Sequence, residues 1–498
     1  MRELFKPDRI LSNILPEQKL KQGADYVLSQ FVLPYETGGR VLLCNVLTHR
    51  IIELNEAAGE GYGMRFTGSE VGDSELLTTL VKWYFLVPEG KDECAFYEGI
   101  SRMMRAYTRP KGVNSYVIMP TLGCNARCVY CYEEGMEQTS MTPETVEQTA
   151  RFILETNSNK TIRINWFGGE PLAGEPAIDR ICGILRGAGA SYRSSMISNG
   201  SLITAETVRK MKDLWNVRDI QISMDGAEQD YCARKNYTFG GSCYRRVMNS
   251  VSAMSEAGIR VVIRCNVDAD NWPGIPQFLD DLKGEVGHKD NVAVYFSPLN
   301  AIRASVDDVT MWSRIVAARP MVEAAGFKPA DYLGFGSRFR ISHCIADAGS
   351  AVVAPDGSLY LCEHCVPESR YGDVFRGVTD KAAMDAFART DFTREKCRKC
   401  PFLPDCTSFS ACPVEDFHCR EVKEMLAKDM LKLLDEKSYN IGAPMGEARS
   451  AGLGECGAED SHGSGFGDSL KDRFENAPGD GFDNGPEDGF GARAGSLC

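Results

Sequence analysis

Along residues 114–298, short apolar runs alternate with amphipathic stretches of helical period. The apolar runs are NSYVIMP (114–120), TIRINWF (161–167), RSSMISN (193–199), DIQISMD (219–225), RVVIRCNVD (260–268) and VAVYFSP (292–298). Between them PETVEQTARFILETN, EPAIDRICGILRG, TAETVRKMKDLW, SCYRRVMNSVSAMSEAG and WPGIPQFLDDLKG carry the spacing of helices with one buried face. Six strands alternating with helices predict an α/β fold. Its sheet is parallel with right-handed crossovers, curled into a partial (β/α)6 barrel. Ligands of such sheets sit outside the carboxyl ends of the strands.

Other segments have a different rhythm. FVLPYETGGRVLLCNVLTHRIIEL reads as strands joined by a Gly-Gly turn and a polar turn. NEAAGEGYGM begins as a helix interrupted by glycines, and DSELLTTLVKWYFLVPEG reads as a capped helix followed by a short strand. These features predict a small α+β module over residues 1–95, a linker over 96–112 and the strand–helix core over 113–335. A cysteine-dense, loop-rich region over 340–437 closes in the helical REVKEMLAKDMLKLLDEK. Residues 440–498 carry eleven acidic and four basic side chains and 14 of the chain's 48 glycines. Such a stretch buries too little apolar surface to offset its ordering entropy, so a disordered tail is expected.

At 498 residues the chain is too long for a single core. Its 43% hydrophobic and 25% charged residues are those of a globular protein. No apolar run approaches the roughly 20 residues of a membrane span. MRELFKPDRILSNILPEQKLKQG lacks the apolar centre of a signal peptide. A cytoplasmic location with no membrane partner is expected. The net charge of −13 argues against nucleic acid as a partner. In such a chain, 19 cysteines point to metal or redox chemistry rather than disulfides.

Three of those cysteines, Cys124, Cys128 and Cys131, fall within GCNARCVYCYEE, directly after the first predicted core strand. A structural zinc site takes four protein ligands, and a catalytic one takes three and a water. An iron–sulfur cluster held by three cysteines leaves one iron open to a small molecule. The C-x3-C-x2-C spacing, with Tyr130 before Cys131, resembles the signature of radical S-adenosylmethionine enzymes. The next strand ends in Gly168-Gly169-Glu170-Pro171, similar to that family's GGEP motif. Ser198 and Asn199 follow the third strand, Ser223 and Asp225 the fourth, and Arg264 and Asn266 lie on the fifth. The resemblance implies a [4Fe–4S] cluster on the three cysteines and S-adenosyl-L-methionine chelating its open iron. Tyr130, Gly168, Gly169, Glu170, Pro171, Ser198, Asn199, Ser223, Asp225 and Arg264 would then surround the cofactor. One electron would cleave that cofactor to methionine and a 5′-deoxyadenosyl radical able to abstract unactivated hydrogens.

The pattern Cys344-x12-Gly357-x4-Cys362, Cys397-x2-Cys400-x5-Cys406, Cys412 and Cys419 resembles the SPASM extension of peptide-modifying members. It implies two auxiliary clusters, one on Cys344, Cys362 and Cys412, the other on Cys397, Cys400, Cys406 and Cys419. Five residues (TSFSA) separate Cys406 from Cys412, where the family usually has three. Cys365, in CEHC, is the candidate fourth ligand of the first cluster, an open iron being the alternative. Glu363 resembles an acidic residue placed near the reaction centre in related enzymes and is a candidate general base; an exposed loop carboxylate is the plainer reading. A pair of zinc knuckles is the alternative for the CxxC pairs. Cys44, Cys94, Cys182, Cys232, Cys243 and Cys265 are expected to act as small buried hydrophobes.

LLCNVLTHRIIELNEAA and LVPEGKDE resemble the winged-helix-like recognition modules of ribosomal peptide (RiPP) maturases, which add a precursor's leader as a strand to a sheet edge. The resemblance implies a precursor peptide as partner, with an electron donor such as flavodoxin or ferredoxin. In the tail, Phe466, Phe474, Phe482 and Phe490 stand eight residues apart, and Asp468, Asn476 and Asn484 follow two positions after the first three. Some enzymes of the family join an aromatic ring to the β-carbon of a residue two positions later. The tail is therefore a candidate substrate array in cis, a bland acidic linker being the alternative. The expected activity is that of a radical SAM oxidoreductase acting on a peptide. Its product would be a carbon–carbon cyclophane, a thioether or an epimerised residue. A sulfatase-maturing-type enzyme and a non-enzymatic zinc-knuckle protein are the competing readings.

Overall fold

The computed structural model describes residues 2–5, 15–37, 40–54, 65–66, 75–108, 112–299, 308–329, 349–387 and 395–405. Cys344, Cys406, Cys412, Cys419 and the Phe-containing tail lie outside the described residues. The first strands are β1 (Arg2–Phe5), β2 (Tyr26–Leu28), β3 (Val32–Thr37), β4 (Arg40–Asn45), β5 (Arg50–Leu54), β6 (Arg65–Phe66) and β7 (Leu86–Pro88). They form an antiparallel sheet in the order β1-β5-β4-β3 and a second sheet in the order β6-β2-β7. The alternation of β5 drives this arrangement: Ile52 and Leu54 enter one core with Val41, Leu43, Leu80 and Phe85. Ile51 enters another with Leu42, Cys44 and Val46. Helix α1 (Glu75–Lys82) buries Leu77, Leu80 and Val81. At the start of β5, the Arg50 guanidinium lies 4.1 Å from the centre of the Trp83 ring. The segment read as a linker is helical as far as Thr108, in α2 (Glu93–Thr108). Cys94, Tyr97 and Ile100 give that helix a buried stripe, which a polar reading of KDECAFYEGISRMMRAYT conceals.

All six apolar runs of the core form strands: β8 (Ser115–Ile118), β9 (Ile162–Trp166), β10 (Tyr192–Ser198), β11 (Val217–Ser223), β12 (Arg260–Val267) and β13 (Val292–Pro298). Each pairs in parallel with its predecessor, as crossovers through helices require. The crossovers are α3 (Pro143–Thr156), α4 (Glu175–Gly187), α5 (Ala205–Asp213), α6 (Glu228–Lys235), α7 (Tyr244–Glu256) and α8 (Ile275–Glu285). Thr142 and Thr204 cap α3 and α5 by accepting from the backbone N–H groups of Thr145 and Thr207. The helices α9 (Asp308–Ala317) and α10 (Arg319–Ala324) precede β14 (Lys328–Pro329), which pairs in parallel with β13.

Of the region read as loop-rich, the described residues 349–387 contain sheet. Strand β15 (Ser350–Val353) pairs in parallel with β8, and β16 (Ser358–Tyr360), β17 (Arg370–Asp373) and β18 (Gly377–Val378) extend it antiparallel. One open sheet therefore runs β14-β13-β12-β11-β10-β9-β8-β15-β16-β17-β18. Ser350, Ala351, Val352 and Val353 are all buried, because β15 covers what would otherwise be the bare edge of β8. Helix α11 (Lys381–Phe387) follows the last strand, and the short α12 (Glu395–Arg398) opens the final described segment.

That segment packs on the first module. Leu403 lies in a core with Phe31, Leu47, Tyr84, Tyr97 and Ile100, and Phe402 in the one built on Leu42, Val46 and Ile51. Gln30 Nε2 donates to the Arg398 carbonyl at 3.1 Å, and Arg398 meets Asp92 at 3.0 Å. Leu403 is 1% exposed. Truncating Leu403→Ala should cost about 2–5 kcal/mol at this junction. Thermal unfolding followed with limited proteolysis will show a lower melting temperature and earlier cleavage of the first module.

Candidate active site

The strand ends of the parallel sheet gather the residues that sequence reasoning singled out. After β8 the chain enters a loop carrying Cys124, Cys128 and Cys131, all partly buried. Its backbone is held from both sides. Leu122 N donates to the Thr139 carbonyl at 2.9 Å, and Thr121 Oγ1 accepts from Gly123 N at 2.8 Å. On the other side, Arg127 N and Val129 N donate to the Lys235 and Arg234 carbonyls at 3.1 and 3.0 Å. These carbonyls are the open acceptors at the end of α6, which stops at Asn236 in the left-handed conformation. Helix α6 was not anticipated, since EQDYCARK shows only a narrow apolar face.

The two glycines of the GGEP stretch serve close approach, but to protein backbone. A β-carbon on Gly168, whose φ is +109°, would stand 2.3 Å from the Thr121 carbonyl oxygen; one on Gly169 would stand 2.4 Å from that of Leu122. The backbones instead bond, Gly169 N to Thr121 O at 3.2 Å and Glu170 N to Gly123 O at 3.0 Å. Pro171 opens a short 3-10 turn for which Glu170 is the cap. The Glu170 side chain is fully buried and accepts from Leu172 N at 3.2 Å, Ser198 Oγ at 2.8 Å and Asn199 N at 2.8 Å. Burial pushes its carboxyl above the ordinary range, against the pull of those donors. A carboxylate offers about four lone-pair positions, so one remains open.

Asn199 then reaches the cluster loop. Its amide donates to Asn125 Oδ1 at 2.9 Å and points at Cys124 Sγ, 3.9 Å away. Ala126 N also donates to that sulfur, at 3.4 Å. Such donors suit a thiolate, yet burial pushes the Cys124 thiol up to about 11, with neighbouring Glu170, Cys128 and Cys131 adding to the shift. A thiolate at Cys124 therefore needs a cationic group beside it. Cys131 N donates to the Cys128 carbonyl at 3.0 Å, and the same turn closes Cys362–Cys365 and Cys397–Cys400. Among the described residues, no three His, Cys, Asp or Glu side chains converge as a single metal ion requires. Three cysteines on one loop, the first with Ala126 N and Asn199 Nδ2 directed at its sulfur, are a donor set that a cluster can use.

At the end of β11 lies a buried polar network centred on Asp225. Its Oδ2 accepts from the Tyr130 hydroxyl and stands 3.1 Å from Lys235 Nζ; its Oδ1 accepts from the backbone and side-chain nitrogens of Asn266 at 3.1 and 3.2 Å. Lys235 Nζ also donates to Tyr130 Oη and to Ser223 Oγ, each at 2.9 Å. Lys235 is 2% exposed and Asp225 0%. Burial opposes the ammonium's charge, but Asp225 beside it prevails and Lys235 remains cationic. Burial and the Asp225 carboxylate push the Tyr130 hydroxyl well above its ordinary range. Arg264 joins the network by donating to Asn266 Oδ1 at 2.9 Å and Ser297 Oγ at 3.2 Å. Lys235 escaped sequence reasoning because it sits in an unrecognised helix, where a Lys ordinarily reads as surface.

The CEHC turn faces the cluster loop. The Tyr132 and His364 rings lie 4.5 Å apart, and Glu363 Oε2 is buried without a hydrogen-bond partner. Cys365, in the left-handed conformation (φ +50°), places its thiol 3.8 Å from Met119 Sδ. It packs with Val117, Met119 and Val352, whereas Cys362 lies in the main core. The two thiols of this turn thus occupy different surroundings. Cys44, Cys94, Cys182, Cys243 and Cys265 are buried in the cores and Cys232 partly so.

Gly169→Ala should displace the cluster loop without emptying a core. The expected result is a folded protein, by circular dichroism, whose iron content after anaerobic reconstitution falls well below that of the unaltered chain.

Residues 118–281 match the family model described as Radical SAM superfamily. An S-adenosylmethionine-dependent nucleotide dehydratase of a Thermoplasmatales archaeon is 28% identical over 150 residues, 30% of this chain and 51% of that protein. Radical SAM cyclopropyl synthase TigE of Paramaledivibacter caminithermalis is 25% identical over 193 residues, 35% of this chain and 39% of its own. The chain thus spans about half the length of the first relative and less of the second. The solved structure of native anSMEcpe with bound AdoMet and Kp18Cys peptide shares the fold, with a TM-score of 0.53 at 18% identity, covering 65% of this chain and 99% of that one. Among the described residues, no helix is long and apolar enough to cross a membrane. The three-cysteine loop and the strands β9 to β12 thus lie within the residues, 118–281, that match the Radical SAM superfamily model.

Proposed function

We propose that this protein is an S-adenosylmethionine-dependent peptide maturase that installs a carbon–carbon or thioether crosslink in a ribosomally made peptide. The observation that carries the reading is the three-cysteine loop at the strand ends, enclosed by Glu170, Asn199 and the Asp225–Lys235 pair. Cys124, Cys128 and Cys131 would hold a [4Fe–4S] cluster, and S-adenosylmethionine would complete it. When bound, that pair supplies a carbon radical strong enough to take hydrogen from an unactivated C–H bond.

The chain's residues supply the rest. Glu170 has acceptor capacity for an ammonium, whereas the three protons of Lys235 Nζ are taken by Asp225, Tyr130 and Ser223, so Lys235 holds the loop rather than a ligand. The Tyr130 hydroxyl, held by Asp225 and Lys235, fixes the turn between Cys128 and Cys131. Glu363, with its buried unpaired oxygen beside the cluster loop, is the group suited to take a proton from the substrate. Cys344, Cys362, Cys412 and Cys365, and Cys397, Cys400, Cys406 and Cys419, are assigned to two auxiliary clusters on the SPASM resemblance. A flavodoxin or ferredoxin is the proposed electron donor.

A peptide substrate is supported by the first module's resemblance to peptide-recognition domains and by the fold shared with anSMEcpe, a protein solved with a peptide bound. The Phe octads from residue 466 supply a substrate carried on the same chain.

Two outcomes are expected. Replacing Cys124, Cys128 and Cys131 together by Ala should abolish 5′-deoxyadenosine formation in a reduced, reconstituted protein, measured by liquid chromatography. Peptide mapping of the tail after turnover should show loss of a hydrogen pair from individual Phe octads. A tail that stays unmodified while 5′-deoxyadenosine forms would exclude the cis substrate and direct the search to a separate precursor.

A further inference from the structure

We propose that the sheet face turned away from the main core seats the tail's Phe-x-Asp and Phe-x-Asn units. The phenylalanine ring lies on an apolar wall at β8, β15 and β16, and the side-chain amides of Asn165 and Gln221 hold the acid or amide two positions later. The proposal deepens the peptide reading above and rests on it for the kind of substrate. The wall follows from strand alternation. In β8, Tyr116 and Ile118 enter the main core with the helices, so Val117 and Met119 point to the opposite face. Val352 of β15 and the half-buried Phe167 and Tyr360 pack with them. No member of this cluster lies on a helix. Two further members tie it to the site: Leu122 leads into the cysteine loop, and Cys365 belongs to the turn that carries Glu363.

Polar side chains on the neighbouring strands continue the face. Asn165 stands opposite Val117 in the β8–β9 register and opposite Ser195 in the β9–β10 register. Its Oδ1 accepts from Ser195 Oγ at 3.1 Å, and Gln221 Oε1, on β11, accepts from the Tyr295 hydroxyl at 2.6 Å. With each carbonyl oxygen engaged, the two NH2 groups remain as donors, and among the described residues neither has a partner. One apolar wall and two fixed donors thus share a single face of the sheet.

The tail has the matching chemistry. In an extended peptide, side chains i and i+2 project to the same side about 6.6 Å apart, whereas neighbouring strands of the sheet lie about 4.8 Å apart. A ring on the wall therefore brings the side chain two positions later over the strands that carry Asn165 and Gln221. The tail supplies a ring and an acceptor at this spacing in Phe466/Asp468, Phe474/Asn476 and Phe482/Asn484; its fourth unit, at Phe490, has Ala492 where the acceptor would stand. About 60 residues, at up to about 3.3 Å each, separate Asp405 from Phe466, a length that reaches any part of the sheet.

The test uses the full-length, anaerobically reconstituted chain with S-adenosylmethionine and no reductant, so that no turnover occurs. In the variant Phe466→Ala/Phe474→Ala/Phe482→Ala/Phe490→Ala the tail no longer competes. Fluorescein-labelled GFGDSLKD, the sequence of residues 465–472, should bind this variant at least about tenfold tighter than the unaltered chain, measured by fluorescence anisotropy. To the same variant, GFGARAGS, the sequence of residues 489–496, and GFGDSLKD with Phe466→Ala should each bind at least about tenfold more weakly. Adding Gln221→Glu replaces a donor by a carboxylate. GFGDSLKD should then lose at least about another tenfold, and its Asp468→Asn counterpart, whose amide can donate, should lose less. Misfolding would weaken both peptides alike, so this charge dependence reports recognition. Equal binding by the two chains, equal binding of all peptides, a Gln221→Glu effect indifferent to the charge at position 468, or no binding to a variant that melts like the unaltered protein would each overturn the proposal. A chain that forms 5′-deoxyadenosine on reduction but does not bind the octads refutes this inference alone. One that binds them and forms none refutes the maturase reading.

Discussion

The buried pair Asp225–Lys235 is the interaction on which the active-site end of this sheet depends. It joins the end of β11, the last residue of α6, Tyr130 of the cysteine loop and Asn266 of β12. Removing two charges from water is costly, and such a pair persists only where further hydrogen bonds satisfy both partners. Here they do: each Asp225 oxygen has at least one donor, and the Lys235 ammonium reaches three acceptors. Cutting either partner would leave the other charged and unpaired in the interior. The network thus fixes the loop's position before any cofactor arrives, which is how a protein directs chemistry that a cofactor performs.

A second constraint comes from the opposite wall. The GGEP backbone lies so close to the cysteine loop that no side chain fits at Gly168 or Gly169. Glu170 ties this wall to β10 through Ser198 and Asn199. The motif residues therefore hold one another and the loop, and Glu170 keeps one acceptor position beyond those contacts. Capping the 3-10 turn and accepting from a cofactor can therefore coexist in the same carboxylate.

Much of this was legible in the chain. The six core strands follow from β-branched runs ending in polar pairs such as Ser198-Asn199 and Ser223–Asp225, and the residues at those ends meet at one site. What escaped depended on tertiary context. Helix α6 is polar on most of its surface, so its periodicity is weak, and the value of Lys235 lies entirely in what it is buried against. Strands β15–β18 are short and separated by cysteines and turns, and only pairing with β8 identifies them as part of the main sheet. Helix α2 hides its apolar stripe behind charges, and that stripe is satisfied by Leu403, about 300 residues downstream. The junction brings the Cys397–Cys400 turn against the first module.

The central claim is that Cys124, Cys128 and Cys131 hold a cluster with one iron left for S-adenosylmethionine. Electron paramagnetic resonance of the reduced, anaerobically reconstituted protein tests it most directly, in a variant lacking the cysteines assigned to the auxiliary clusters. The account predicts a [4Fe–4S]+ signal whose shape changes when S-adenosylmethionine is added and which disappears when the three cysteines are replaced by Ala. A protein that binds zinc and gives no such signal, or a signal indifferent to S-adenosylmethionine, would contradict it.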